Sequence, residues 1–203
     1  MKKMIAAISM IALATAANAK TGWYLGAKGG INMTNHGYVT PDGTADEKVS
    51  FGMAPNIELN FGQWIKKNWR IQIDLGMITE YQDKESFGVD GHGDAIIFTE
   101  SVKYANFDGL WTYDSGFYLG FGAGMAIIDT KQNLQGSNDV QTISPMGQLL
   151  IGQELKLDES WSFDIGGKAS LWYGSEQDYG LGYKFGTGLT YNLTALAGVK
   201  YYF

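Results

Sequence analysis

The feature that most constrains this chain is an alternation of apolar residues with polar or small ones, sustained over stretches of eleven residues or more and repeated along its length. A helix groups every third and fourth residue on one side. Alternation at period two instead separates two faces of an extended strand, and each strand then has one apolar face and one polar one. In the first stretch Trp23, Leu25, Ala27, Gly29, Ile31 and Met33 share a face, opposite Tyr24, Gly26, Lys28, Gly30 and Asn32. Similar stretches begin near Phe51, Trp69, Phe117, Ile143, Trp161 and Leu189. The run 96–107 is less regular: Glu100 interrupts one register and Lys103 the other, so a bulge that re-aims Glu100, or a register change near Ala105, is expected there.

Counting that run, the chain has eight strands. Their connections alternate between long (34–49, 83–94, 129–141, 174–186) and short (63–68, 108–115, 157–160). The expected fold is all-β: an eight-stranded antiparallel up-and-down barrel that crosses a membrane, with long loops at one end and tight turns at the other. Composition agrees. The 28 Gly and 14% aromatic residues stand against only 3 Pro, which suits strands and turns. With no Cys, the fold must be held by backbone closure and burial.

At the N-terminus, Lys2 and Lys3 precede an apolar stretch too short to span a bilayer, and Ala17-Asn18-Ala19 fits a small-x-small cleavage pattern. Residues 1–19 are therefore expected to be a cleaved signal peptide and 20–203 the barrel domain. Losing Lys2 and Lys3 leaves 13 basic residues against 21 acids, a charge of minus eight, which disfavours nucleic acid as a partner.

Two features favour a lipid-facing apolar surface over a soluble barrel. Aromatics gather at the ends of the apolar stripes, as at Trp23, Phe61, Trp69, Tyr81, Phe117, Trp161 and Tyr173, while aliphatics fill the middles. Such a girdle seats amphipathic rings at headgroup level. The opposite face carries Lys28, Arg70, Lys156, Lys168 and Lys200 against Glu58, Asp74, Glu80, Glu154 and Asp164. Equal numbers of each sign suit a closed interior, where an unpaired charge is costly and a paired one is tolerated. Eight strands enclose little more than their own side chains, so the expected lumen is a plug of ion pairs and Tyr hydroxyls.

The chain stops inside an apparent strand, at Phe203, with Tyr201 and Val199 on the same face. In a closed barrel that strand pairs with the first and leaves no open edge. The segments "GWYLGAKGGINM" (22–33), "GFYLGFGAGMAI" (116–127) and "LTALAGVKYYF" (193–203) make the mature chain resemble the small outer-membrane barrel superfamily, which includes the OmpA transmembrane domain, OmpX and the opacity-type surface proteins. The resemblance implies residence in the outer membrane of a Gram-negative-type bacterium, contact with its lipids and lipopolysaccharide, and extracellular long loops. It also implies that Val199, Tyr201 and Phe203 form the C-terminal signal read by the outer-membrane assembly machinery. Unlike full-length OmpA, the chain is expected to carry no periplasmic peptidoglycan-binding domain after the barrel.

Such motifs specify architecture and are nearly silent on activity. The only two His, His36 and His92, fall on expected outer loops, and the late His-x-Ser-Asn run that marks the lipid A deacylase type is missing. The segment "DGHGD" (90–94) reads as a solvated turn rather than a cation site. No catalytic residue, cofactor or metal site is assigned. The expected function is non-enzymatic: an envelope-stabilising barrel whose loops, with Tyr38, Phe87, Tyr179, Tyr183 and Phe185, are available for adhesion to a host or cell-surface ligand. A narrow porin-like channel for small solutes is the second reading, and a lipid A-modifying enzyme the third.

Overall fold

The computed structural model describes residues 22–36, 50–82, 98–132, 139–173, 176–178, 184–186 and 189–203. The expected signal peptide, His92, the segment 90–94 and most of the outer loops lie outside these residues. Eight long strands form the wall: β1 (Trp23–His36), β2 (Ser50–Lys66), β3 (Trp69–Gln82), β4 (Phe98–Thr112), β5 (Phe117–Gln132), β6 (Val140–Lys156), β7 (Trp161–Tyr173) and β10 (Leu189–Tyr202). Two three-residue strands, β8 (Glu176–Asp178) and β9 (Lys184–Gly186), pair as a hairpin between β7 and β10. Each long strand pairs antiparallel with its neighbours, and β10 pairs with β1 to close the barrel.

The register sets the shape. A row of paired residues runs from Gln63 through Ile71, Gly109, Phe121, Leu149, Ala169, Leu193 and Met33, and returns to β2 at Met53, ten residues from its start. For eight strands this stagger tilts each of them by roughly 40° from the barrel axis and leaves a lumen that side chains fill.

The two faces separate by period two. Leu25, Ile57, Leu75, Phe107, Phe121, Leu149, Ile165 and Leu193 point outward and are exposed, so the exterior is a continuous apolar belt. Burying such a belt in water-free lipid is favourable, whereas leaving it in water would not be. At the short-turn end aromatic rings pack along the belt edge: Trp23 on Phe61 (4.9 Å between centroids), Trp69 on Trp111 (5.2 Å), and Trp161 on Tyr201 (5.0 Å), which in turn meets Phe203. The turns there are tight. Gly116 adopts a left-handed φ of 84°, and Asp158 accepts hydrogen bonds from the Ser160 and Trp161 amides at 2.8 and 2.7 Å.

Three expected positions are corrected. Between Ile78 and Tyr81 the β3–β4 register shifts: Ile78 pairs with Val102 and Tyr81 with Glu100, so β3 carries one extra residue. This bulge exchanges the faces beyond it. Tyr81, expected in the girdle, turns into the lumen, while Glu80, expected inside, turns outward and meets Lys131 at 3.2 Å. Lys156 has the expected parity but lies past Glu154, the last buried residue of β6, so it is exposed at the rim. On β4 the structure shows neither the expected bulge at Glu100 nor a register change near Ala105, because Glu100 belongs to the lumen face as it stands and Lys103 to the outer one. That strand keeps one register from end to end, with Glu100 inside and Lys103 outside, and it extends to Thr112, which brings Trp111 into the girdle.

Candidate functional site

The polar groups of the lumen form two connected layers. In the layer nearer the short turns, the Glu154 carboxylate accepts from Arg70 Nη1 at 2.5 Å, Lys200 Nζ at 3.0 Å, Ser162 Oγ at 3.0 Å and the Tyr202 hydroxyl. Lys200 also pairs with Asp164, which meets Lys28 Nζ at 2.8 Å and accepts from the Tyr118 hydroxyl at 2.8 Å. Arg70, Glu154, Lys200, Asp164 and Lys28 thus form one alternating chain of charge. The Arg70 guanidinium is sandwiched among the rings of Tyr118, Trp64 and Tyr24, at 4.8, 5.4 and 5.5 Å. Cation–π attraction supports a cation that has lost its water.

The second layer lies nearer the middle. Lys168 pairs with Glu58 and donates to Tyr104 Oη at 2.9 Å, and that hydroxyl donates to Glu58 at 2.8 Å. Asn60 joins Glu58 to Asp74 (2.8 and 2.6 Å), Gln72 joins Asp74 to Asp108 (2.8 and 3.5 Å), and Gln148 donates to Asp108 at 2.6 Å. Tyr24, whose ring lies 5.5 Å from the Arg70 guanidinium and 5.3 Å from Lys200 Nζ, donates to Gln72 at 2.8 Å and so links the two layers. Above them, Ala54, Ile78, Val102, Ala126, Ile128, Met146 and Trp172 pack as an apolar layer inside the barrel.

Glycine makes room for this network at two places in particular. A Cβ on Gly76 would lie 2.1 Å from the Tyr104 ring, and one on Gly152 would lie 2.4 Å from that of Tyr118. The wall is bare of side chains where each ring lies flat, and this aims both hydroxyls at their carboxylates.

Of the ten charges expected inside, Lys28, Glu58, Arg70, Asp74, Glu154, Asp164, Lys168 and Lys200 are buried in the lumen; Glu80 and Lys156 are outside. Two further carboxylates are buried in the lumen that were not among the expected ten, Asp108 and Glu100. Both lie on β4, whose apparent register conflict hid them; even-numbered continuity from Glu100 to Thr112 is the signal that would have found them. Of the girdle residues, Trp161 and Tyr173 are exposed outward, Trp69 lies at 37% exposure, and Trp23, Phe61 and Phe117 are half-buried along the belt edge. Val199 and Tyr201 face outward on β10, and the Phe203 amide donates to the Trp23 carbonyl at 3.0 Å.

At the short-turn mouth a cavity of about 660 Å³ is lined by Trp64, Tyr113, Trp161, Lys67 and Asp114 and ends on Glu154 and Tyr202. Among the described residues no group of three or more His, Cys, Asp or Glu is placed to hold a metal ion.

No protein-family model matches the chain, and no curated protein matches it. Solved structures do. Neisserial surface protein A superposes with a TM-score of 0.50 at 16% identity, covering 90% of this chain and 98% of that one. The outer membrane protein AlkL, solved in lipid bilayers, gives 0.55 at 15% identity, with 90% of each chain covered. The beta domain of the Bordetella autotransporter BrkA gives 0.51 at 13% identity, covering 91% of this chain and all of that domain. The fold is that of the small outer-membrane barrels, and a closed barrel with this apolar exterior belongs in a membrane.

Proposed function

We propose that the chain is a non-enzymatic integral outer-membrane protein whose polar lumen is plugged, which reinforces the envelope and presents its long loops for adhesion or contact. The observation that carries this reading is the network of buried ion pairs, hydrogen bonds and cation–π contacts from Glu154 to Asp108, which occupies the space a solute would need. Opening a path through it would strand several charges in a low-dielectric interior at a cost of several kcal/mol each. The apolar belt and its aromatic edge support contact with outer-membrane lipids, including lipopolysaccharide, and the outward Val199, Tyr201 and Phe203 suit the C-terminal signal of the assembly machinery.

The test is to fold residues 20–203 into detergent, compare gel mobility with and without boiling, and then reconstitute the barrel in planar bilayers. Heat-dependent mobility without conductance is expected. Steady ion-conducting steps would overturn the plug in favour of a narrow channel. Mobility that ignores heating, with solubility in the absence of detergent, would overturn the membrane reading.

A further inference from the structure

The apolar belt is not equally tall around the barrel. On β10 it continues from Tyr201 up to Tyr191 and Leu189, and on β7 from Trp161 to Tyr173. On β4 it stops early: Lys103 faces outward only eight residues above Trp111. With the strands tilted by roughly 40°, eight residues raise the chain by about 20 Å. The apolar band of an outer-membrane barrel is about 25 Å tall, so Lys103 leaves the wall within the upper part of the band. Its side chain reaches toward the long-loop end and meets Asp129 Oδ2 at 2.9 Å. Asp129 is also held by Gln141 Nε2 at 2.6 Å, and Lys131 meets Glu80 at 3.2 Å on the same outward face. The bulge that turns Glu80 outward completes this patch on β3 to β6, while the opposite wall, on β7 and β10, is apolar at comparable height.

We propose that this outward patch is a docking site for the phosphorylated headgroup of an outer-leaflet glycolipid, with Lys103 and Lys131 donating to its phosphates. The inference rests on the reading of the chain as an outer-membrane barrel with its long loops outside. Both lysine side chains are more than half exposed, and each uses one N–H in its ion pair, leaving two for another acceptor. The four charges sum to zero, so long-range attraction does not select the ligand. Selection comes from the joining of two surfaces. Directly below Lys103 the wall is Ala105, flanked by Leu75 and Met125, which suits acyl chains, and above it stand the phosphate donors. An amphiphile satisfies both and a free phosphate only one. The Cα atoms of Lys103 and Lys131 are separated by four steps along the wall, about 13 Å, which fits two phosphates at the ends of a disaccharide better than a single anion.

The experiment uses the folded barrel in detergent and follows its unfolding temperature by heat-dependent gel mobility during titration with diphosphoryl lipid A, its dephosphorylated form, or inorganic phosphate. Diphosphoryl lipid A is expected to raise that temperature, the other two far less. A lysine near a charged membrane surface changes affinity about fivefold, so the K103Q/K131Q variant is expected to need about 25-fold more lipid, while K67Q/K156Q at the short-turn end needs no more. An unchanged titration for K103Q/K131Q overturns the proposal. So does an equal response to inorganic phosphate, or a lipid effect abolished by chelator in the wild type and retained by the lysine variant in divalent cation, which would put the phosphate on a metal bridging Glu80 and Asp129. Because each variant must first show heat-dependent mobility, failure of this site is distinguishable from failure of the barrel reading.

Discussion

Replacing Glu154 by Gln is the sharpest probe of the plug. The carboxylate serves two buried cations at once, and they differ in what remains when it is neutralised. Lys200 keeps Asp164; Arg70, fully buried, keeps only the three aromatic rings around it. Its Nε and Nη2 already have no hydrogen-bond partner, so nothing nearby takes over the lost contact. Removing one member of a buried pair typically costs about 3–5 kcal/mol, most of it the stranded charge, and E154Q is expected in that range. Arg70→Met is expected to cost less, because Glu154 retains Lys200, Ser162 and the Tyr202 hydroxyl. The double variant should be no worse than E154Q alone, since it removes the stranded charge together with its partner. Urea unfolding of the reconstituted barrel, followed by tryptophan fluorescence, measures all three. Costs that simply add, or an E154Q barrel within about 1 kcal/mol of the wild type, would refute the alternating chain of charge as a structural unit.

The remaining predictions use the same unfolding assay except where stated. Gly76→Ala drives a methyl into the Tyr104 ring and is expected to cost about 1–3 kcal/mol, whereas Gly29→Ala, with no neighbour within 4 Å, should be near neutral; equal costs would show that backbone entropy, not ring clearance, sets the need for glycine. Tyr81→Phe removes a buried hydroxyl that donates to Glu100 at 2.8 Å and should cost about 1–2 kcal/mol, while Glu80→Gln should cost well under about 1 kcal/mol; the reverse order would place the bulge elsewhere. Because the chain has no Cys, single cysteines report location cleanly. In vesicles, Leu193→Cys should resist a charged maleimide that labels Leu157→Cys, both sites being exposed in the bare protein, and rapid labelling of both would mean that the belt is not covered by lipid.

The barrel was legible because a wall with lipid on one side and a packed lumen on the other leaves its mark at every second residue. Lys28, Asp164, Lys168 and Lys200 could be placed inside from parity alone, since their strands run without interruption through the middle of the wall. Parity fails where its two premises fail. Tyr81 and Glu80 were misplaced because one extra residue after Ile78 reverses the count, and Thr79 and Glu80 carry no local mark of a bulge. Lys156 was misplaced because, at a rim, height along the axis decides exposure. The ion-pair partners were not legible at all. Which acid meets Arg70 depends on strands that lie 84 residues apart in the chain, and that follows from the stagger rather than from any local pattern.

That ten-residue stagger makes the wall a spiral ramp: a walker following paired residues once around never returns to the starting height. The closing β1–β10 seam therefore inherits the accumulated offset of every other strand pair. A residue inserted in the middle of any strand would arrive at the seam as a mismatch, turning lumen groups toward lipid along everything beyond it. Length can change cheaply only near the end of a strand, and the extra residue of β3 sits past its last rung with β2, with the pairs Tyr81–Glu100 and Gln82–Thr99 to β4 still to come before the loop. Evolution of such a chain is free at its tips and locked in its staves.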